Sequence, residues 1–239
     1  MMLQQTQVSR VLPAYRRFLQ RFPTLRALSR APLGDVLREW SGLGYNRRAR
    51  DLHRIARRHS SGLPRTIAGL DALPGVGAYT ASAVACFAFG EATAFADTNI
   101  GRVLGRSILG RTASDREAID LDREIGSKRE GARWHHALMD IGATICLSRQ
   151  PRCDVCPVRS VCRYEGDERS SPRKQSPFVA SDRRVRGAIL RQLVGASRAV
   201  TMAALRRGIN DPRVARLVGV LAEEGLVEVS SGSVRLPTR

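Results

Sequence analysis

Four of the five cysteines lie in one short segment, CLSRQPRCDVCPVRSVC, with the spacing Cys146-x6-Cys153-x2-Cys156-x5-Cys162. Four thiolates this close along the chain can converge on one metal centre. Zinc sites usually pair two short CxxC knuckles, whereas this mixed spacing favours a cubane with one cysteine per iron. We therefore expect a 4Fe–4S cluster over zinc. The fifth thiol, Cys86, lies in an apolar segment and is predicted to be a small buried side chain.

A lone carboxylate, Asp97, lies in the otherwise uncharged run ATAFADTNIG. One interpretation is a helix N-cap, because ADTN is a good cap sequence ahead of IGRVL. The other is a fixed charge that stabilises a cation formed during a reaction. The two interpretations are compatible, since a capping aspartate can also face a pocket.

The segment Leu73-Pro74-Gly75-Val76-Gly77 precedes this acid and is flanked by helix-like sequence on both sides. Two glycines around one apolar residue allow a tight turn that exposes backbone N–H groups ahead of a helix. Such a turn is typical of the helix-hairpin-helix, which binds a DNA phosphate without contacting bases. An ordinary helix–turn–helix joint is the alternative.

The elements that must position these residues are mostly helical. Apolar residues recur at helical spacing up to about residue 165, and proline and glycine separate the segments, which predicts a bundle of short helices. The polar stretch 166–181 is predicted to be a linker. Beyond it, three helices (Asp182 to about Val194, Thr201 to Arg207 and Asp211 to Glu224) precede an alternating segment around Ser-Ser-Gly, an order typical of a winged helix.

The predicted fold is therefore mainly α, and we divide the chain into four parts. Residues 1–110 form a helical domain with the hairpin, 111–165 a helical and cluster region, 166–181 the linker and 182–239 a small winged-helix-like domain. For this last domain, DNA contact is favoured over a helical cap that only packs.

The charge of the chain indicates its partner. With 40 Lys and Arg against 22 Asp and Glu, the net charge is +18, spread along all 239 residues, which favours a folded nucleic-acid binder. No run of 18 apolar residues and no signal-peptide pattern occurs, so we expect no membrane association and a cytoplasmic, nucleoid-associated monomer.

Several motifs together resemble one family. LPGVGAYTA, the acid of ADTNIGRVLGR, the run MDIGATIC and the cysteine spacing occur in the order found in the helix-hairpin-helix glycosylases of base-excision repair. Within that superfamily, MLQQTQV and WSGLGYNRRARDL resemble the adenine-specific, MutY-type branch. The resemblance covers about residues 1–165.

The resemblance implies three active-site residues. Asp97 matches the aspartate that stabilises the sugar cation as a flipped-out base leaves, and Asn99 matches the asparagine beside it. Tyr79 stands where strand-nicking relatives carry a Schiff-base lysine. The nearest lysine along the chain is Lys128, so we expect a monofunctional enzyme that leaves an abasic site.

The resemblance also implies a set of DNA-binding residues. Gln5 and Tyr45 match wedge residues that enter the base stack, and the turn matches the hairpin that grips a phosphate. Apart from the resemblance, the arginines in the cysteine loop are placed to meet phosphates, and those beside the wedge are interpreted as phosphate contacts in preference to an ordinary solvated face. The predicted set is Gln4, Gln5, Thr6, Tyr45, Arg47, Leu73, Gly75, Val76, Gly77, Arg149 and Arg152. The double-stranded DNA partner is expected to contain a mismatch.

Two departures from the family affect this expectation. The family carries a general-acid glutamate two residues before MLQQT, which would lie one residue upstream of Met1. We therefore expect this polypeptide to bind DNA but to excise slowly, owing to a late start or a truncation. The family often adds a Nudix-like β domain that checks for 8-oxoguanine, and residues 182–239 do not resemble one.

The leading function is removal of adenine opposite 8-oxoguanine or guanine. A thymine glycosylase for T·G mismatches is the alternative within the class, and a non-catalytic DNA-binding relative is the alternative outside it. His135 and His136, in WHHALMDIGA, are interpreted as packing residues, and Trp40 and Trp134 as core.

Overall fold

The computed structural model describes residues 1–126, 130–166 and 181–238. Over these residues the chain is mainly helical, as predicted, and the strands form one three-stranded sheet. One compact unit joins Met1–Leu63 to 181–238, and the second comprises the described residues of Pro64–Arg173. Most of the predicted linker lies outside the described residues, and the four-part domain division stays a prediction. Among the described helices, none combines the length and apolarity needed to cross a bilayer.

Four helices open the first unit, and their apolar positions recur at helical spacing as the sequence predicts. Phe18 packs its ring edge against Trp40, with ring centroids 6.1 Å apart, and Trp40 is fully buried as expected. Thr24 caps the second helix by accepting a hydrogen bond from Ala27 N. The helices are α1 (Val8–Arg21), α2 (Leu25–Arg30), α3 (Leu33–Glu39) and α4 (Arg47–Arg58).

The C-terminal elements of the first unit follow the predicted order of three helices and a hairpin. They are α10 (Asp182–Val194), β1 (Val200–Thr201), α11 (Met202–Ile209), α12 (Val214–Glu223), β2 (Glu228–Ser230) and β3 (Ser233–Arg235). All strands pair antiparallel in the order β1-β3-β2. Strand β1 was not predicted from the sequence, because two residues are too few to show alternation.

The two parts of the first unit share one hydrophobic core. Leu37 and Trp40 belong to the same buried cluster as Leu217 and Leu221. Backbone contacts add to this packing: Gly34 N–H donates to the carbonyl of Pro237 at 2.9 Å. The C-terminal segment is therefore an integral part of this unit.

The second unit carries the hairpin turn, Asp97 and the four clustered cysteines. Its helices are α5 (Ile67–Asp71), α6 (Ala78–Phe89), α7 (Thr98–Leu104), α8 (Asp115–Ile125) and α9 (Gly131–Thr144). A π-helical turn, Gly105–Leu109, extends α7, and short 3-10 turns span Cys153–Val155 and Arg159–Val161. A core cluster that includes Phe95, Ile100 and Leu138 holds α7 against α9.

Candidate active site and metal centre

The segment Leu73–Gly77 joins α5 to α6, and the two helices pack on each other as the helix-hairpin-helix interpretation predicts. Leu73 is buried and anchors the turn, while Gly75 has a φ of 73°, a left-handed conformation that favours glycine. Gly77 is the N-cap of α6 and has no side chain to offer its first N–H groups. Such N–H groups at a helix N-terminus bind phosphate oxygens.

Asp97 is the N-cap of α7, which confirms the first of its two sequence interpretations. Its Oδ1 accepts hydrogen bonds from Asn99 N at 2.9 Å and from Ile100 N at 2.8 Å. Its Oδ2 has a longer contact of 3.4 Å with the Asn99 amide nitrogen. The backbone thus fixes the orientation of a half-buried carboxylate and leaves Oδ2 weakly engaged.

Tyr79, near the start of α6, lies beside this carboxylate. Burial raises the pKa of the Tyr79 phenol to about 12, and the negative charge of Asp97 adds to the rise. The Tyr79 ring packs edge-to-face on Phe95, with centroids 5.7 Å apart, and remains 38% exposed. The structure therefore brings Tyr79, Asp97 and Asn99 together and keeps the phenol protonated at neutral pH.

A half-buried arginine, Arg102, links this site to the first cysteine. Arg102 donates to Asn99 Oδ1 at 2.8 Å, to the Gly142 carbonyl at 2.6 Å and to the Cys146 carbonyl at 2.6 Å. At Gly142 the helices α7 and α9 approach so closely that a Cβ would lie 2.6 Å from Asn99 Cβ. One guanidinium thus ties the residues after Asp97 to the start of the cysteine loop.

The four predicted metal ligands Cys146, Cys153, Cys156 and Cys162 line one cavity, together with apolar side chains such as Ile141. Its empty volume is about 380 Å³, counting the solvent at its mouth. Among the described residues, no three His, Cys, Asp or Glu side chains are grouped as ligands of a single metal ion. All four thiols line the same cavity, as a metal centre with four cysteine ligands requires.

Arg106 supports the cysteine loop from the π-helical turn. Its guanidinium is almost fully buried, donates to the carbonyls of Leu147 and Ser148 at 2.8 and 3.0 Å, and lies 3.7 Å from Cys146 Sγ. It also stacks on the Tyr164 ring, 4.4 Å from the centroid. The predicted phosphate-binding residues of the same loop, Arg149 and Arg152, are both exposed.

The predicted wedge residues lie in the first unit. Gln5 and Tyr45 are exposed, and both have left-handed backbone conformations, with φ of 53° and 47°. Such conformations are costly for residues other than glycine and occur often at functional sites. Arg47, which starts α4 beside Tyr45, is exposed as the phosphate-binding prediction requires.

Arg48 joins the two wedge segments. It donates to the Met2 carbonyl at 3.0 Å, to Thr6 Oγ1 at 3.0 Å and to the Gly44 carbonyl at 3.1 Å, and it also bonds the carbonyl of Gln4. The Thr6 hydroxyl is therefore engaged within the protein. A buried guanidinium with carbonyl partners on both sides fixes the segments that carry Gln5 and Tyr45 relative to each other.

The residues that support the site were not predictable from the sequence. Arg102 and Arg106 occur among many arginines, and no pattern distinguishes a buried arginine from an exposed one. Asp122 and His135 form a buried pair behind Phe95. The sequence indicated only a packing role for His135. Trp134, expected in the core, is only partly buried. Lys128 lies outside the described residues.

These features occur together in the helix-hairpin-helix repair proteins, and the comparisons place the chain in that class. Residues 1–126 match the HhH-GPD superfamily of base excision DNA repair proteins, and the chain belongs to this family. The curated relatives indicate which branch.

Among curated relatives, the adenine DNA glycosylase of Mycolicibacterium smegmatis is 38% identical over 239 residues, covering 95% of this chain and 81% of the relative. That of Mycobacterium tuberculosis strain H37Rv is 40% identical over 216 residues, covering 85% and 71%. The human adenine DNA glycosylase is 41% identical over 172 residues, covering 68% and 32%. These similarities confirm the predicted resemblance to MutY-type glycosylases.

Solved structures agree with this fold. A thermostable thymine-DNA glycosylase matches with a TM-score of 0.59 and 28% identity, covering 68% of this chain and 79% of the other. A non-covalent endonuclease III–DNA complex matches with a TM-score of 0.60 and 27% identity, covering 68% and 78%. The mainly helical glycosylase fold predicted from the sequence is confirmed.

Proposed function

We propose that this protein is a monofunctional DNA glycosylase that removes adenine mispaired with 8-oxoguanine or guanine. The single observation that carries the proposal is the carboxylate of Asp97, fixed at the N-cap of α7 beside Tyr79. The relatives named adenine DNA glycosylases support adenine as the base. The opposing base is proposed from the family resemblance.

The reaction requires a charge at this position. As the bond between C1′ of the deoxyribose and N9 of adenine breaks, positive charge builds on the sugar, and a fixed carboxylate lowers the barrier electrostatically. Water then adds its hydroxide to C1′, and the departing base takes up a proton. Because two backbone N–H groups already orient Asp97, its charge needs no reorganisation during the reaction.

The proposal of a monofunctional enzyme rests on Tyr79. A phenol with a pKa of about 12 is protonated and is a poor nucleophile towards C1′. The lysines Lys128 and Lys174 both lie outside the described residues. We therefore expect the abasic site to remain without strand cleavage.

The four cysteines around the cavity would hold a 4Fe–4S cluster, each thiolate binding one iron. When bound, the cluster would supply metal–thiolate bonds that fix the fold of the loop. Arg106 holds the same loop through its carbonyls, and exposed Arg149 and Arg152 would meet DNA phosphates.

Double-stranded DNA with a mismatch is the proposed partner, bound by a monomer. The net charge of +18, the exposed hairpin turn and the two left-handed wedge residues support DNA binding. Gln5 and Tyr45 would fill the space that the flipped-out adenine vacates. The similar endonuclease III structure is a complex with DNA.

The test is a single-turnover excision assay, which registers slow rates as well as fast ones. We expect adenine release from duplexes containing A·8-oxoguanine and A·G, no thymine release from T·G, and strand breaks only after alkali. Thymine release alone would replace the proposal with the T·G alternative, and release of neither base would contradict it.

A further inference from the structure

A buried carboxylate–imidazole pair lies directly behind the proposed active site. Asp122 of α8 and His135 of α9 have side chains that are 1% and 3% exposed, and Oδ2 of the aspartate is 2.8 Å from Nε2 of the histidine. Burying two ionisable groups is unfavourable unless each finds several partners. The hydrogen-bond partners of Asp122 and His135 therefore indicate which neighbouring segments the pair fixes in place.

Asp122 accepts three hydrogen bonds from different directions. Its Oδ2 accepts from the backbone N–H of Phe95 at 3.0 Å as well as from His135, and its Oδ1 accepts from Trp134 Nε1 at 2.6 Å. Phe95 stands two residues before Asp97 in the chain. The carboxylate thus fixes the backbone of the segment that delivers Asp97 to the N-cap of α7.

His135 faces an oxygen with each ring nitrogen. Nε2 faces Asp122, and Nδ1 lies 2.7 Å from the Gly131 carbonyl. Both contacts are to oxygens, so each ring nitrogen of His135 has a hydrogen-bond partner within the protein. The nearby Cys86 thiol lies 3.7 Å from Nδ1, and burial and the charge of Asp122 raise the pKa of this thiol.

The His135 ring also supports the aromatic wall of the site. The His135 ring stacks on Phe95 with centroids 3.9 Å apart and planes 15° apart, and Phe95 in turn packs edge-to-face against Tyr79. Stacking of the two rings adds to the packing of the buried Phe95 side chain. The pair therefore holds Phe95 through both its backbone and its ring.

We propose that Asp122 and His135 are positioning residues that set the place of Asp97 and Tyr79 through Phe95. This inference rests on the proposed glycosylase function. His135 would thus act on the active site through Phe95, in addition to the packing role predicted from the sequence. The exposed neighbour His136 stacks on Phe87, with centroids 4.3 Å apart, and provides a matched control.

The test compares His135→Asn, His135→Gln and His136→Asn with the parent protein. Displacing a catalytic group by about 1 Å can cost about a hundredfold in rate, so we expect His135→Asn to lower single-turnover adenine excision by about 10- to 100-fold. Its Kd for a duplex carrying a non-hydrolysable adenine analogue should change by less than about threefold, since the DNA-contacting residues are untouched. The His135→Gln variant should retain more of the rate than His135→Asn, because its longer amide side chain can still donate to Asp122. The control His136→Asn should match the parent rate.

A rate for His135→Asn within twofold of the parent would overturn the proposal, as would an equal loss from His136→Asn. Hydrogen exchange of the parent gives a second measurement, in which the Phe95 amide should be strongly protected because it donates to the buried Asp122 carboxylate. A Phe95 amide that exchanges as fast as an exposed loop amide would overturn the proposal even if the variants did not fold. If the parent releases no adenine, the proposed function fails, whereas the protection of the Phe95 amide still decides whether the pair holds this segment.

Discussion

At the scale of single residues, the proposed glycosylase reaction depends on the fixed position of the Asp97 carboxylate. Asp97 illustrates how much the sequence could indicate: the cap sequence and the reaction chemistry were both visible, and the structure shows the cap with a tyrosine beside it. The role of His135 was not visible, because its partners Asp122 and Phe95 are distant in the chain.

Tyr79 provides a prediction about pH. Its pKa is about 12 in the folded protein against the ordinary 10, so the folded state holds this proton more tightly than the unfolded state. The stability from the neutral phenol is complete below pH 10 and is lost as the pH rises from 10 towards 12. As the pH rises from 10 to 12, we expect the melting temperature of Tyr79→Phe to fall less than that of the parent. If the melting temperatures of the two proteins fell in parallel with pH, the raised pKa of the Tyr79 phenol would be contradicted.

At the scale of elements, helices were predictable and their contacts were not. Apolar spacing indicated the helices on both sides of the hairpin turn, and the helix predicted from Asp182 to about Val194 matches α10. The approach of α7 to α9 depends on Gly142, which gives no local signal because it lies inside a helical pattern.

Gly142→Ala tests this approach. The added Cβ would lie 2.6 Å from Asn99 Cβ and 3.1 Å from its backbone, so the variant should lose about 1–3 kcal/mol of unfolding free energy through overpacking. Adenine excision should fall as well, because Asn99 follows Asp97. Gly219→Ala in α12 is the control: a Cβ there meets nothing within 4 Å, and helix propensity should stabilise the protein by about 0.5–1 kcal/mol. Equal denaturant midpoints for the two variants would exclude the clash.

Arg106→Met tests the support of the cysteine loop. Removing the guanidinium takes away the hydrogen bonds that Arg106 donates to the carbonyls of Leu147 and Ser148. The segment after Cys146 is then held less rigidly. We expect less iron per chain in the purified variant. Arg149→Met, which changes an exposed residue of the same loop, should keep the iron and weaken only DNA binding. An unchanged iron content in Arg106→Met would argue against this role.

At the scale of the whole molecule, the main surprise is the place of residues 181–238. Their helices and hairpin were predictable from local patterns. Their shared core with Met1–Leu63 was not, because the buried leucines of α12 look alike whether they serve a small domain or a larger one. DNA contact by this segment stays a prediction.

Truncation after residue 181 tests whether the C-terminal segment is needed for the core that it shares with Met1–Leu63 or is an independent small domain. Removal would expose core residues such as Leu37 and Trp40, so we expect loss of a cooperative thermal transition by circular dichroism, not only weaker DNA binding. Arg198→Gln and Arg206→Gln, at exposed positions, serve as controls that remove charge without opening the core. A truncated chain that melts cooperatively at the parent temperature would show that the segment is an independent appendage.

The central claim is that the negative charge of Asp97 drives base release, and Asp97→Asn tests it most directly. Asparagine caps helices as well as aspartate does, so the melting temperature should change little while the charge is lost. Single-turnover release of adenine opposite 8-oxoguanine should then fall at least about a hundredfold, with the affinity for that duplex retained. A folded Asp97→Asn variant that releases adenine within threefold of the parent rate would contradict the claim.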